Sequence, residues 1–244
     1  MLPLFAWVGI DIVLWGFITQ YLNTVTGPGF NFVSTLLGAV LLWDFFSRVM
    51  QGVTTAFLED VWSRNFLNFF ATPLTNSEYL TGLVSISILT SSIGLVFMLI
   101  LASSFFGLSF LSYGLLFIPF VLQLFLFGIA LGIVGTAIVL RLGPASEWLV
   151  WPIPALVSPF AGVFYPVSIL PDWMQAVSRA LPPSYVFEGM RNIASGGAVE
   201  PHLLAFATAL NLLYVAAACW LFVRVYRRAL QTGLIARYSA ESVS

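Results

Sequence analysis

The chain has 244 residues, of which 60% are hydrophobic and only 8% are charged, and its net charge at neutral pH is −1. Soluble domains carry about a quarter charged residues, so this chain cannot cover a surface that faces water. The composition excludes a soluble class and predicts a polytopic membrane protein. Together with the spans and motifs described below, we expect an all-α fold with one domain over residues 1–244. No nucleic-acid partner is expected.

The rarest residue types exclude several classes of function. The sequence contains no lysine, one histidine (His202) and one cysteine (Cys219). A P-loop needs a lysine on the phosphates of ATP, so this chain is not expected to hydrolyse ATP by itself. Metal sites built from several histidines and an intrachain disulfide are also excluded. We therefore predict that the chain is not an enzyme and binds no metal or cofactor of its own.

Six segments are long and apolar enough to form membrane-spanning helices, which need about 20 mainly apolar residues. They cover approximately residues 4–22, 32–55, 79–106, 113–140, 148–167 and 202–226. The first is interpreted as a retained helix, because it lacks the positive start of a signal peptide. The fifth contains four prolines, which remove helix hydrogen bonds and predict a broken segment.

The arginines predict the orientation of these spans. If both termini share one side of the membrane, seven of the nine arginines fall on that side. These are Arg48, Arg64, Arg141, Arg224, Arg227, Arg228 and Arg237. Arg179 and Arg191 fall on the other side. By the positive-inside rule, both termini are expected in the cytoplasm, and residues 168–200 form an external segment with a helical pattern.

The stretch FLEDVWSRNFLNFF, residues 57–70, concentrates charge between the second and third spans. As a helix it is amphipathic, with Asp60 four residues before Arg64 on the polar side. Such a helix could lie in the lipid headgroups or dock a cytoplasmic protein. Lipid-seeking helices favour a basic polar face. The mixed charges therefore favour docking.

Three charged residues, Asp11, Asp44 and Arg48, fall inside predicted spans. Ionisable groups in a membrane are costly and are usually paired. Counting depth from the cytoplasmic edge, Asp11 and Arg48 are predicted to pair, with Asp44 one turn deeper. The cluster could line a transport path or clamp two helices together. The near balance of charge favours the clamp.

Two motifs resemble those of the ABC type-2 permeases, which are the membrane subunits of ABC exporters. FLEDVWSRNFLNFFATPLTNSEYL is similar to the cytoplasmic loop of that family. PVSILPDWMQAVSRALPPSYVFEGMR, residues 166–191, is similar to the signature before its last span: Pro-x-x-x-Leu-Pro, a helix, Leu-Pro, then Glu-x-x-Arg. The resemblance extends from IDIVLWGF over nearly the whole chain.

This resemblance implies a coupling helix at residues 57–70 that fits a cleft of an ATP-binding partner. The matching positions are Glu59, Asp60, Trp62, Ser63, Arg64 and Asn65. It also implies an external re-entrant helical hairpin, matched at Pro166, Leu170, Pro171, Leu181, Pro182, Glu188 and Arg191. We interpret the last two residues as a pair that fixes this hairpin.

The resemblance further implies an assembly of a pair of permease chains with a pair of ATP-binding subunits, which would hold the ATP and magnesium. The expected location is the plasma (bacterial inner) membrane, in contact with its lipids, with export of drugs, lipids or glycans. A self-contained secondary transporter or channel is the alternative. It would need an ion site near the midplane, and only the three intramembrane charges are candidates.

Overall fold

The computed structural model describes residues 2–26, 33–63, 75–108 and 110–232. Every regular element in these ranges is helical. The five long helices are α1 (Leu2–Thr26), α2 (Gly38–Trp62), α3 (Asn76–Phe106), α4 (Phe117–Leu142) and α9 (Pro201–Gln231). The four shorter ones are α5 (Glu147–Val150), α6 (Ile153–Ala161), α7 (Asp172–Arg179) and α8 (Pro182–Ala194). A π-helical turn, Val33–Leu37, leads into α2.

Five helical stretches are long and apolar enough to cross a membrane. They are Val8–Val25, Thr35–Trp62, Ser77–Phe106, Gly114–Leu142 and Pro201–Gln231. This confirms the helical, multi-pass character predicted from composition. Each stretch corresponds to one of the six predicted spans. The second span is longer than expected, because α2 continues past Thr55 to Trp62 without a break.

The predicted fifth span, 148–167, is not a continuous helix. It divides into α5, a turn at Trp151 and Pro152, and α6, which ends at Gly162 in the left-handed region with φ of 66°. The prolines account for these interruptions, since proline cannot donate a backbone hydrogen bond. The described residues thus contain five continuous candidate spans, and the predicted fifth span is a broken segment.

Helices α2 and α4 run parallel and touch almost backbone to backbone. A Cβ atom added to Gly128 would lie 2.9 Å from the side chain of Val49, and one added to Gly135 would lie 2.7 Å from Oγ1 of Thr54. A Cβ atom on Gly132 would come within 2.7 Å of a backbone oxygen of α2. Small residues at such spacings permit close helix packing in membranes. This run of glycines was not identified from the sequence.

Helix α9 is parallel to α4, so α2, α4 and α9 all end at the same end of the bundle. The Gln123 side chain donates to the carbonyl of Leu204 near the start of both helices, at 3.4 Å. Near their last turns, Arg141 and Arg228 line one cavity. We call this end the arginine end, defined by Arg141, Arg224, Arg227 and Arg228.

Helix α3 runs in the opposite direction along α2. Its first turns contact the end of α2 through Tyr79 and Asp60, and further along, the hydroxyl of Ser87 donates to the carbonyl of Val49 at 2.8 Å. The opposite end of the bundle holds the starts of α2, α4 and α9 together with residues 162–200. We call it the hairpin end.

Candidate functional site

The segment predicted as a separate coupling helix begins as the last turns of α2. Glu59 is exposed, Asp60 is half-buried, and the Trp62 side chain is 57% exposed. Ser63 is exposed and caps the helix, with its backbone N–H bonded to the Glu59 carbonyl at 2.9 Å. Residues 57–62 thus continue α2 without a break, and the predicted coupling helix over residues 57–70 stays a prediction.

The remaining predicted coupling residues, Arg64 and Asn65, lie outside the described residues, as does the rest of that segment to residue 70. The predicted pair between Asp60 and Arg64 includes one of these residues and therefore stays a prediction.

Asp60 links two helices. The Tyr79 hydroxyl of α3 donates a hydrogen bond to Oδ2 of Asp60, at 2.9 Å. The hydroxyl of Ser63 also donates to the backbone carbonyl of Asp60, at 3.2 Å. Of the two acids at this end of α2, Glu59 is therefore the one exposed for contact, while Asp60 holds α2 against α3.

The intramembrane charges pair differently from the prediction. Nε of Arg48 lies 2.7 Å from Oδ2 of Asp44, four residues earlier on the same helix. Residues at this spacing share one helix face, which makes the contact easy to form. Asp11 of α1 interacts electrostatically with both residues, but it forms no ion pair with Arg48. The stem of Arg48 lies beside Gly94 of α3, where the missing side chain leaves room.

At the hairpin end, Glu188 and Arg191 form the predicted contact. One turn of α8 brings Nη1 of Arg191 within 2.7 Å of Oε1 of Glu188. Burial lowers the pKa of the Arg191 guanidinium, and the adjacent carboxylate of Glu188 opposes that shift. The contact with Glu188 thus favours the charged form of Arg191.

Both side chains also hold the backbone that follows α6. Nη2 of Arg191 donates to the carbonyls of Gly162 and Val163, the latter at 3.2 Å. Oε1 of Glu188 accepts from the backbone N–H of Val167, at 2.8 Å. We call these contacts the hairpin clamp. It ties α8 to the loop that ends the broken segment.

The three signature prolines occupy positions where the chain changes direction. Pro166 precedes the 3₁₀ turn Val167–Ile169, Pro171 precedes α7, and Pro182 is the first residue of α8. Proline suits a helix start, where its missing N–H would have no partner within the helix. The α7–α8 connection is closed by Ser184, whose hydroxyl donates to the carbonyl of Ser178 at 2.7 Å.

The clamped hairpin rests directly on the bundle core. Phe187 of α8 is 1% exposed, and its ring centroid is 6.0 Å from that of Trp43 of α2. A Cβ atom on Gly189 would lie 3.0 Å from the ring of Phe120, so α8 also packs closely on α4. Movement of the hairpin would therefore act on the same helices that end at the arginine end.

A buried polar contact joins α4 and α9. Nδ2 of Asn211 donates to the backbone carbonyl of Gln123 at 3.1 Å and also to the Gln123 side chain. Asn211 thus links α4 and α9 by a polar contact of the kind that joins helices in membranes. Gln123 was not identified from the sequence, although a lone glutamine in an apolar run indicates a polar contact between helices.

No family model matches this chain, and no curated protein matches it. Among the residues that the structure describes, no group of histidine, cysteine or acidic side chains could hold a metal ion.

Proposed function

We propose that this chain is the transmembrane permease subunit of an ATP-driven exporter of the ABC type-2 kind. A separate ATP-binding subunit, in two copies, would bind ATP and magnesium and dock at the arginine end of a pair of permease chains. That end would face the cytoplasm, together with both termini, and the hairpin end would face outward from the plasma membrane. The cargo would be an amphipathic molecule such as a lipid, a drug or a glycan.

The observation that carries this proposal is the exposed end of α2. Glu59 and the indole of Trp62 are exposed at the end of the bundle that also holds four arginines. Tryptophan and arginine are both enriched in surfaces that bind proteins. The absence of lysine supports an external source of ATP hydrolysis. The hairpin clamp uses the Glu-x-x-Arg pair on which the resemblance partly rests.

Charge reversal at the end of α2 tests the proposal. Glu59→Arg should leave the chain folded. The tagged variant should capture less of a P-loop ATPase than the tagged parent does from the membranes of its native cells, because a reversed charge opposes the charge of its partner. Asp172→Arg is the matched control, an exposed acid at the hairpin end. Equal ATPase capture by both variants would refute docking at α2.

The purified chain alone should not hydrolyse ATP, and hydrolysis should require the captured partner. Robust hydrolysis by the chain alone, after removal of contaminating ATPases, would refute the proposal that a separate subunit hydrolyses the ATP.

A secondary transporter remains the second candidate because Asp11 lies near the Asp44–Arg48 pair without forming an ion pair with Arg48. Carboxylates inside a membrane are typical of ion-coupled carriers. Transport into vesicles separates the two candidates. A requirement for ATP and its partner supports the exporter, whereas transport driven by an ion gradient and abolished by Asp11→Asn supports the carrier.

A further inference from the structure

A cavity of about 310 Å³ lies at the arginine end, between the last turn of α4 and the last turns of α9. Its charged lining is Arg141, Arg224 and Arg228, and its apolar lining includes Leu221, Val225 and Ala229. All three arginines are exposed. The cavity therefore combines a strong positive charge with an apolar floor.

These arginines lack acidic partners within the described part of the chain. None of them forms an ion pair there, in contrast to Arg48 and Arg191. The Arg224 guanidinium instead lies 5.3 Å from the centre of the Trp220 ring, which holds it by a cation–π contact. Attraction to helix C-termini explains one arginine in each last turn. It does not explain why three converge on one cavity.

The surroundings of the cavity favour a lipid over a soluble anion. Leu142, which follows Arg141 in the chain, is 59% exposed. Trp220 is 62% exposed and lines the neighbouring groove, which shares Arg224 and Arg228 with the cavity. This places apolar side chains on the outer surface of the bundle at the depth where the arginines begin. Tryptophan and arginine together are typical of the level of the lipid headgroups.

We propose that this cavity binds the phosphate of an anionic phospholipid, with the arginines on the phosphate and the acyl chains against the exposed apolar surface. Basic pockets between membrane helices are suited to such headgroups. The lipid would bridge α4 and α9 where their charges repel. This inference requires only that the chain spans a membrane, and it stands whether or not an ATPase docks there.

Native mass spectrometry of the full chain in nonionic detergent tests the site, with titrations of phosphatidylglycerol and phosphatidylcholine. We expect one preferred phosphatidylglycerol per cavity, and affinity lowered about fivefold for each of Arg141→Gln and Arg228→Gln. Arg227→Gln is the matched control, because Arg227 carries the same charge on the same turn but does not line this cavity. Arg227 lines the neighbouring groove, which shares Arg224 and Arg228 with the cavity. That variant should bind within twofold of the parent.

Four results would overturn the assignment. Equal losses in all three variants would show diffuse attraction, and equal binding of phosphatidylcholine would show an apolar groove. Full competition by millimolar inorganic phosphate or glycerol phosphate would show a site for a soluble anion. Loss of a captured protein partner in Arg141→Gln and Arg228→Gln, with lipid titrations unchanged, would assign the cavity to a protein contact. Circular dichroism of each variant confirms that it is folded.

Discussion

At the hairpin end, Arg191 and Glu188 bind each other and three backbone groups, whereas the arginines of the opposite end form no ion pair with any residue that the structure describes. The first arrangement satisfies its charges internally and fixes a loop. In the second, no acidic side chain among the described residues pairs with the arginines, and Arg224 lies over the ring of Trp220. Among the described residues, arginine thus forms internal contacts that fix a loop at one end, and forms no ion pair at the other.

Removal of Arg191 would test the structural half of this comparison and should have the largest effect. Arg191→Ala leaves the Glu188 carboxylate without its cation and removes the donor to two backbone carbonyls, so we expect a loss of about 3 kcal/mol of stability. Arg179→Ala is the control, an exposed arginine of the same hairpin, with an expected change below about 0.5 kcal/mol. Unfolding in a detergent titration measures both. Equal midpoints would show that the clamp contributes no stability.

The sequence was sufficient for the helical class and for the contact between Glu188 and Arg191, because one turn of a helix brings such residues together. It could not predict that the pair would hold Gly162 and Val167, since contacts across more than 20 residues depend on how α6 ends. Prolines did predict the interruption of the fifth segment. They could not show where each short helix would begin.

Two other differences have local causes. The charged residues after Thr55 suggested a break, but Phe57 and Leu58 are buried, so packing carries α2 on to Trp62. The prediction for Arg48 relied on depth alone and gave less weight to Asp44, which shares its helix face. Depth places residues at one level and does not choose between partners at that level.

A double-mutant cycle of the intramembrane charges would show which of them pair with each other, as Glu188 and Arg191 do at the hairpin end. We expect a coupling energy of about 2 kcal/mol between Asp44→Ala and Arg48→Ala, because each change alone leaves a partly buried charge unpaired. The cycle of Asp11→Ala with Arg48→Ala should give less than about 1 kcal/mol, since no direct contact joins them. Unfolding midpoints of all variants supply both energies. A larger coupling for Asp11 would restore the pairing predicted from depth.

The smallest effect is expected at the arginine end, where Tyr79 and Asp60 form one of the contacts between α2 and α3. Tyr79→Phe removes the hydroxyl that donates to a half-buried carboxylate, so it should cost about 1 kcal/mol. Tyr185→Phe is the control at the hairpin end, where the hydroxyl donates to an exposed backbone carbonyl that water can satisfy.

The control should cost less than about 0.5 kcal/mol in the same detergent titration. If Tyr79→Phe also lowers the free energy of unfolding by less than about 0.5 kcal/mol, Asp60 does not hold the two helices together. It would then be as available as Glu59 for a partner, and charge reversal at Asp60 would report on docking without disturbing the fold. If Tyr79→Phe costs what we expect, Glu59 remains the acid at the end of α2 whose reversal can separate docking from stability.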